Sequence, residues 1–290
     1  MATASRKVHW PRTQLLRRMT QVGFGLFIII SSVRHNVVTT EHLASIDAYC
    51  PFGGIVTLWR WLSSGGFFVQ KTHQSNLVLV LGLTAGVILA GGAFCGWICP
   101  FGAYQDLLNW IRKKLHFPEI RVPARPDRVL TYGRYLTLAI ILYATISTVR
   151  LWFADYDPYR TIFGLGWLFE FNLAEHWPAY IVALVVTAGA LLIERSWCRY
   201  LCPLGGAISL LGNLSLLRIR REESKCLDCG VCNAPCPVKI DVAQADPAVS
   251  ADCIGCLECV DACPQHGALS VTLGPALPGV LKPRKKESVA

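Results

Sequence analysis

The sequence predicts an α-helical membrane domain built from two repeats, followed by a small α+β domain dense in cysteine. Three observations carry this reading: long apolar stretches with few charges, a Cys-x3-Cys-Pro motif that occurs twice, and two cysteine runs of identical spacing near the C-terminus. Hydrophobic residues make up 53% of the 290 and charged residues only 16%, against about 25% charged in an ordinary soluble domain. Thirteen cysteines imply either disulfides in an oxidising compartment or metal ligation in a reducing one, and their spacing decides between the two.

Four stretches read as membrane spans. The first runs from about Leu15 to Val38, and the second lies in the uncharged interval between Lys71 and Asp106. The third centres on Tyr135–Val149, and the fourth covers Trp177 to Ile193. A span needs about 20 mostly apolar residues, and flanking arginines can snorkel to the interface. Basic residues set the orientation. Arg6, Lys7, Arg12, Arg17 and Arg18 precede the first span. Arg112, Lys113, Lys114, Arg121, Arg125, Arg128 and Arg134 separate the second from the third. Arg195, Arg199, Arg218, Arg220, Arg221 and Lys225 follow the fourth. The alternate loops hold only Arg34, Arg60 and Lys71, then Arg150 and Arg160. Both termini are therefore expected in the cytoplasm, and the bias accounts for most of the +9 charge without nucleic-acid binding. Arg34-His35-Asn36 follows the span's uncharged centre, Met19 to Val33, where a cleaved signal would need small residues, so a retained span is expected.

An internal repeat organises these spans. Phe94-Cys95-Gly96-Trp97-Ile98-Cys99-Pro100-Phe101-Gly102 closes the second, and Trp197-Cys198-Arg199-Tyr200-Leu201-Cys202-Pro203-Leu204-Gly205 closes the fourth. Upstream, Tyr49-Cys50-Pro51-Phe52 aligns with Tyr156-Asp157-Pro158-Tyr159. Two copies that both start and end in the cytoplasm are parallel repeats, related by an axis along the membrane normal. That geometry is expected to bring the two Cys-x3-Cys pairs together on the cytoplasmic side, with Cys50 and Asp157 as counterparts on the outer side.

Past Arg221 the balance turns acidic, with Glu222, Glu223, Asp228, Asp241, Asp246, Asp252, Glu258 and Asp261 against Lys225 and Lys239. The expected boundaries are a cytoplasmic segment 1–14, a membrane domain 15–221, a cytoplasmic cysteine-rich domain 222–273 and a disordered tail 274–290. The cysteine runs are Cys226-x2-Cys229-x2-Cys232-x3-Cys236-Pro237 and Cys253-x2-Cys256-x2-Cys259-x3-Cys263-Pro264. Three thiolates on a tight loop occupy three corners of an iron–sulfur cubane, and the fourth cysteine of each run ligates the other cluster. One [4Fe–4S] cluster is thus expected on Cys226, Cys229, Cys232 and Cys263, and a second on Cys253, Cys256, Cys259 and Cys236. Zinc ribbons use paired Cys-x2-Cys instead, and disulfides do not suit a reducing compartment. The domain reads as a small α+β two-cluster bacterial-type ferredoxin.

Cys95, Cys99, Cys198 and Cys202 form a second constellation. At i and i+4 on a helix, two thiols share one face, and the Pro and Gly that follow are expected to end each helix. Four converging thiols could hold a third iron–sulfur cluster, act as redox dithiols, bind a structural metal, or simply pack helices. Cys50 stands alone on the outer side. His35, His42, His73 and His176 lie near span ends, where a haem would want a pair inside a span. Trp59, Trp61, Trp152, Trp167 and Trp177 read as an interfacial aromatic belt. No Gly-rich phosphate loop or dinucleotide fingerprint occurs.

Four helices, two Cys-x3-Cys-Pro motifs and a two-cluster tail resemble the NapH-type membrane ferredoxins and the related MauN-type and NosR-type proteins. The resemblance covers about residues 12–270 and rests most on Phe94–Gly102 and Trp197–Gly205. It implies a bacterial inner-membrane protein that passes electrons between the quinone/quinol pool and a partner redox protein, as a quinol dehydrogenase component. The large periplasmic flavin-binding domain of NosR-type proteins has no counterpart in this sequence. The alternative is a maturation or redox-regulatory factor whose clusters support assembly or activity of another metalloenzyme.

Overall fold

The structure is a computed structural model and describes residues 12–37, 74–120, 122–148, 152–169, 171–245, 249–265 and 267–273. Cys50, Trp59, Trp61, His42, His73 and the tail from 274 lie outside the described residues. Each expected span contains a helix. α1 (Arg12–Val37) is one unbroken helix of about 39 Å at 1.5 Å per residue. It is inside-out by the standards of a soluble helix. Gln14, Arg17, Gln21 and Ser32 are buried along one face, while Leu15, Leu16, Met19, Val22, Phe27 and Ile30 are exposed. Such a helix is stable only where its outer face meets an apolar surrounding.

α2 (Gln74–Ala90) ends at Gly91, whose φ of +60° reverses the chain at little steric cost. A five-residue helix α3 (Ala93–Trp97) follows, then α4 (Pro100–Lys114). α5 (Ala124–Thr131) leads through Tyr132 into α6 (Gly133–Thr148). Short helices α7 (Pro158–Phe163) and α8 (Gly166–Phe169) precede α9 (Leu173–Leu192), capped by Asn172. α10 (Ser196–Tyr200) and α11 (Pro203–Gly212) repeat the order of α3 and α4. Among the described residues, two helices are long and apolar enough to cross a membrane, Arg125–Ser147 and Leu173–Leu192. The four-span count expected from sequence is therefore met in part.

The Cys-x3-Cys motifs do not lie within one helix, as the i, i+4 reading expected. α3 stops at Trp97 and α10 at Tyr200, and Cys99 and Cys202 are extended N-cap residues of the next helices. Proline is the reason. It lacks the N–H and the clearance for a helix interior but suits the first helical position, so Pro100 and Pro203 start helices rather than end them. The two copies match bond for bond. Cys99 N–H donates to Phe94 O and Cys202 N–H to Trp197 O; Ala103 N–H donates to Cys99 O and Gly206 N–H to Cys202 O.

The C-terminal unit is built on an antiparallel pair, β1 (Leu217–Arg221) and β2 (Leu269–Leu273), in register from Leu217↔Leu273 to Arg221↔Leu269. The sheet thus draws in five residues ahead of 222. Ile219, Val242, Ala245, Val249, Cys259 and Leu269 form its core, and α12 (Glu258–Ala262) closes the second cysteine run. The unit is clamped to the helical domain by Arg134–Asp252 (2.5 Å), Arg17–Glu258 (2.6 Å), Lys239–Glu119 (3.4 Å) and Lys239–Glu194 (3.2 Å). Two of these pairs set its acidic groups on arginines of the helical domain, and two set its Lys239 on helical-domain carboxylates.

Glu119 gives this clamp a pH dependence. Burial would raise its carboxyl, but Lys239 and Arg112 outweigh that and hold it below the usual carboxylate range. A depressed carboxylate stabilises above its unfolded value and loses that contribution as pH falls through its folded one. Glu119→Gln is therefore expected to cost roughly 1 kcal/mol or less at pH 7. In thermal unfolding, its deficit should begin to shrink as pH falls below about 4 and disappear once pH is below the depressed folded value.

Candidate metal centres

The two ferredoxin runs share one backbone path. Asp228 and Gly255, each two residues past the first cysteine, have φ of +50° and +60°; Gly230 and Leu257, each just past the second, have +66° and +62°. Each loop spends one glycine and one strained residue on the same turn. Cys226, Cys229, Cys232 and Cys263 together line one small cavity, and Cys232 lies within Coulombic range of the other three. Cys259 lies within range of Cys253 and Cys236, and Cys256 within range of Cys253. The structure thus places Cys263 beside Cys226, Cys229 and Cys232, and Cys236 beside Cys253 and Cys259.

The donor chemistry fits a cluster. Burial pushes the Cys253 thiol up to about 11 and Cys259 up to about 12, and raises Cys256 as well. Such thiols ionise at neutral pH only when a bound metal supplies the compensating charge. Among the described residues, no three His, Cys, Asp or Glu side chains converge tightly enough for a single metal ion. Arg221 sits against the Cys226 thiol.

Cys95, Cys99, Cys198 and Cys202 also come together. Cys95 lies within Coulombic range of the other three, and all four line a cavity of about 580 Å³. Gln105, fully buried, donates to Cys198 Sγ at 2.9 Å while its Oε1 has no partner. The Gly205 N–H donates to Cys202 Sγ at 3.3 Å. Aromatic rings of Phe101, Tyr104, Tyr159, Phe163 and Trp197 pack beside the site. The cavity extends to Asp157, which caps α7 by accepting from Tyr159 N–H at 2.9 Å. His35 and His176 lie apart from it, in the last turn of α1 and the first of α9.

An ion network that sequence reading missed supports this site. Arg195 is fully buried with φ of +52°, and its Nε and Nη2 each donate to Asp106 at 2.7 Å. Arg17 donates to the same carboxylate at 2.8 Å, to Glu258 at 2.6 Å and to Gly96 O at 3.0 Å. Both arginines counted in the sequence only as topology markers. The signal was present in Asp106, the carboxylate that ends the long uncharged interval.

The second ferredoxin loop sits directly on the first Cys-x3-Cys segment. Trp97 Nε1 donates to Gly255 O at 2.9 Å, and Gln14 Nε2 to Cys256 O at 2.9 Å. Gly92 and Gly96 make the approach possible, since a Cβ there would fall 2.5 Å from Cys253 O and 2.2 Å from Ile254 O.

Comparison with known proteins finds 4Fe–4S profiles over the same cysteine motifs. A profile described as a 4Fe–4S binding domain matches residues 72–118 and again 175–222, so each match contains one Cys-x3-Cys-Pro motif. A 4Fe–4S dicluster domain matches residues 218–264. The chain is 33% identical to the regulatory protein NosR of Pseudomonas aeruginosa over 69% of its own length and 27% of that protein's. It is 31% identical to the ferredoxin-type protein NapH of Haemophilus influenzae over 61% of each chain. The chain is a 4Fe–4S polyferredoxin similar to the NapH- and NosR-type proteins. YccM of Escherichia coli strain K12 is 28% identical to this polyferredoxin over 79% of the chain and 64% of that protein. These matches span less than two thirds of each relative's length. No solved structure matches. What the matched profiles share with this chain is iron–sulfur cluster binding.

Proposed function

We propose that this polyferredoxin passes electrons between the membrane quinone pool and a partner redox protein at a bacterial inner membrane. In this reading α1, α2, α6 and α9 all cross the bilayer and both termini are cytoplasmic. Cys226, Cys229, Cys232 and Cys263 hold one [4Fe–4S] cluster, and Cys253, Cys256, Cys259 and Cys236 a second. Cys95, Cys99, Cys198 and Cys202 hold a third. Such groups accept and release one electron at a time with little rearrangement; the chain's own residues hold them close and dry. The observation that carries the reading is the seating of the Cys253–Cys256 loop on Gly92–Trp97. It brings Cys253 of the ferredoxin unit to the cavity that the four cysteines line.

The direct test is anaerobic mixing of the cluster-loaded protein with a quinol, followed by absorbance and EPR. Reduction by quinol, or oxidation of the reduced protein by quinone, is the expected result; inertness toward both refutes the proposal. The name of the regulatory relative NosR favours a second reading, in which the clusters support maturation or control of another metalloenzyme. Loss of that enzyme's maturation with unchanged quinol oxidation, in cluster-free variants, would select it.

A further inference from the structure

The two ferredoxin sites are not equivalent in their surroundings. Cys253 lines the same cavity as Cys95, Cys99, Cys198 and Cys202. Arg195 lies within Coulombic range of both Cys198 and Cys256. Cys256 and Cys259 are buried, and the backbone around them is covered by Gln14, Trp97 and Gly96. The other site faces away. Cys229 is exposed, Leu227 is 63% and Val231 44% exposed, and Cys226, Cys229, Cys232 and Cys263 line a separate cavity. Exposed Glu222, Glu223 and Asp228, the last paired with Arg221, flank that apolar edge, and among the described residues there Lys225 is the exposed cation.

We propose that the two ferredoxin sites stand in series, the Cys253 set inward and the Cys226 set as the outer terminal. At the Cys229 edge a soluble one-electron carrier docks, through a contact face with basic side chains around an apolar centre. This rests on the electron-transfer reading above. The exchange oxidises the terminal by one electron and reduces the carrier by one, and no bond forms or breaks. Electron tunnelling favours the site with the thinnest protein cover, and complementary charge steers the encounter.

The order is read by EPR on dithionite-reduced, full-length protein in detergent, which needs no quinol and so stands apart from the quinol test. Arg221→Gln removes the cation beside Cys226 and is expected to move one ferredoxin signal, and only one, to lower potential. Cys229→Ser labels the same site should Arg221→Gln fail to fold. A water-soluble dysprosium chelate is expected to raise the half-saturation power of that labelled signal several times more than that of the other. Equal relaxation of both signals, or stronger relaxation of the unlabelled one, would overturn the order. For the carrier, cytochrome c serves as a basic one-electron probe. Its rate of oxidising the reduced protein is expected to fall about tenfold in the double variant Glu222→Lys and Asp228→Lys. An unchanged rate would overturn the assignment of the docking face.

Discussion

Replacing Gly96 with alanine is expected to lift the ferredoxin unit off the four-cysteine site. The added methyl would lie 2.2 Å from Ile254 O, a backbone atom that cannot swing aside. Neither wall yields easily. Gly96 O is held by Arg17 and Gln21, and the facing loop by Trp97 and Gln14. Overpacking between rigid walls costs about 1–3 kcal/mol and sometimes more, enough to trade the seated arrangement for a loosened one. Hydrogen exchange in residues 253–262 should rise, and magnetic coupling between the inner ferredoxin site and its neighbours should weaken. Gly82→Ala is the control. Nothing lies within 4 Å of its Cβ position, and a mid-helix Gly→Ala change is worth about 0.5–1 kcal/mol in the stabilising direction. Equal behaviour of the two variants would show that the close approach is not what holds the unit.

Removing Asp106 is expected to be the most damaging single change outside the cysteines. Its carboxylate accepts from Arg195, Arg17 and Gln21, and Arg195 has no exposure to water. Asp106→Ala leaves that guanidinium buried with Cys95 O as its remaining acceptor. Breaking one side of a buried pair costs about 3–5 kcal/mol, a large share of a domain's net stability. Poor accumulation in the membrane and loss of the four-cysteine site's spectroscopic signature should follow. The double variant Asp106→Ala with Arg195→Met should recover much of the stability, because it removes the orphaned charge as well. If the double variant is no better than the single, the damage does not come from the unpaired arginine.

The cysteine spacing made the ferredoxin sites legible in the sequence, because three thiols on a short loop with a distant fourth admit few geometries. The repeat was legible for a similar reason: Phe94–Gly102 and Trp197–Gly205 share an order of residue types that chance does not produce. Other features were hidden by what they depend on. Pro100 and Pro203 suit a helix stop or a helix start equally well, and only the structure shows that Cys99 and Cys202 are caps. Gly92 and Gly96 look like ordinary small residues of an apolar stretch until the Cys253–Ile254 backbone is seen above them. Arg17 and Arg195 obey the charge bias of membrane topology, which conceals their burial around Asp106. On α1, hydropathy reports the exposed apolar face and is silent on the buried Gln14, Arg17 and Gln21.

Iron and acid-labile sulfide per chain, with EPR, test the central claim most directly. The comparison is between the native protein and a variant with Cys95, Cys99, Cys198 and Cys202 all changed to serine. Two ferredoxin clusters and a third at the seated four-cysteine site predict about twelve irons in the native chain, falling to about eight in the variant. About eight in both would contradict a continuous iron–sulfur path into the helical domain.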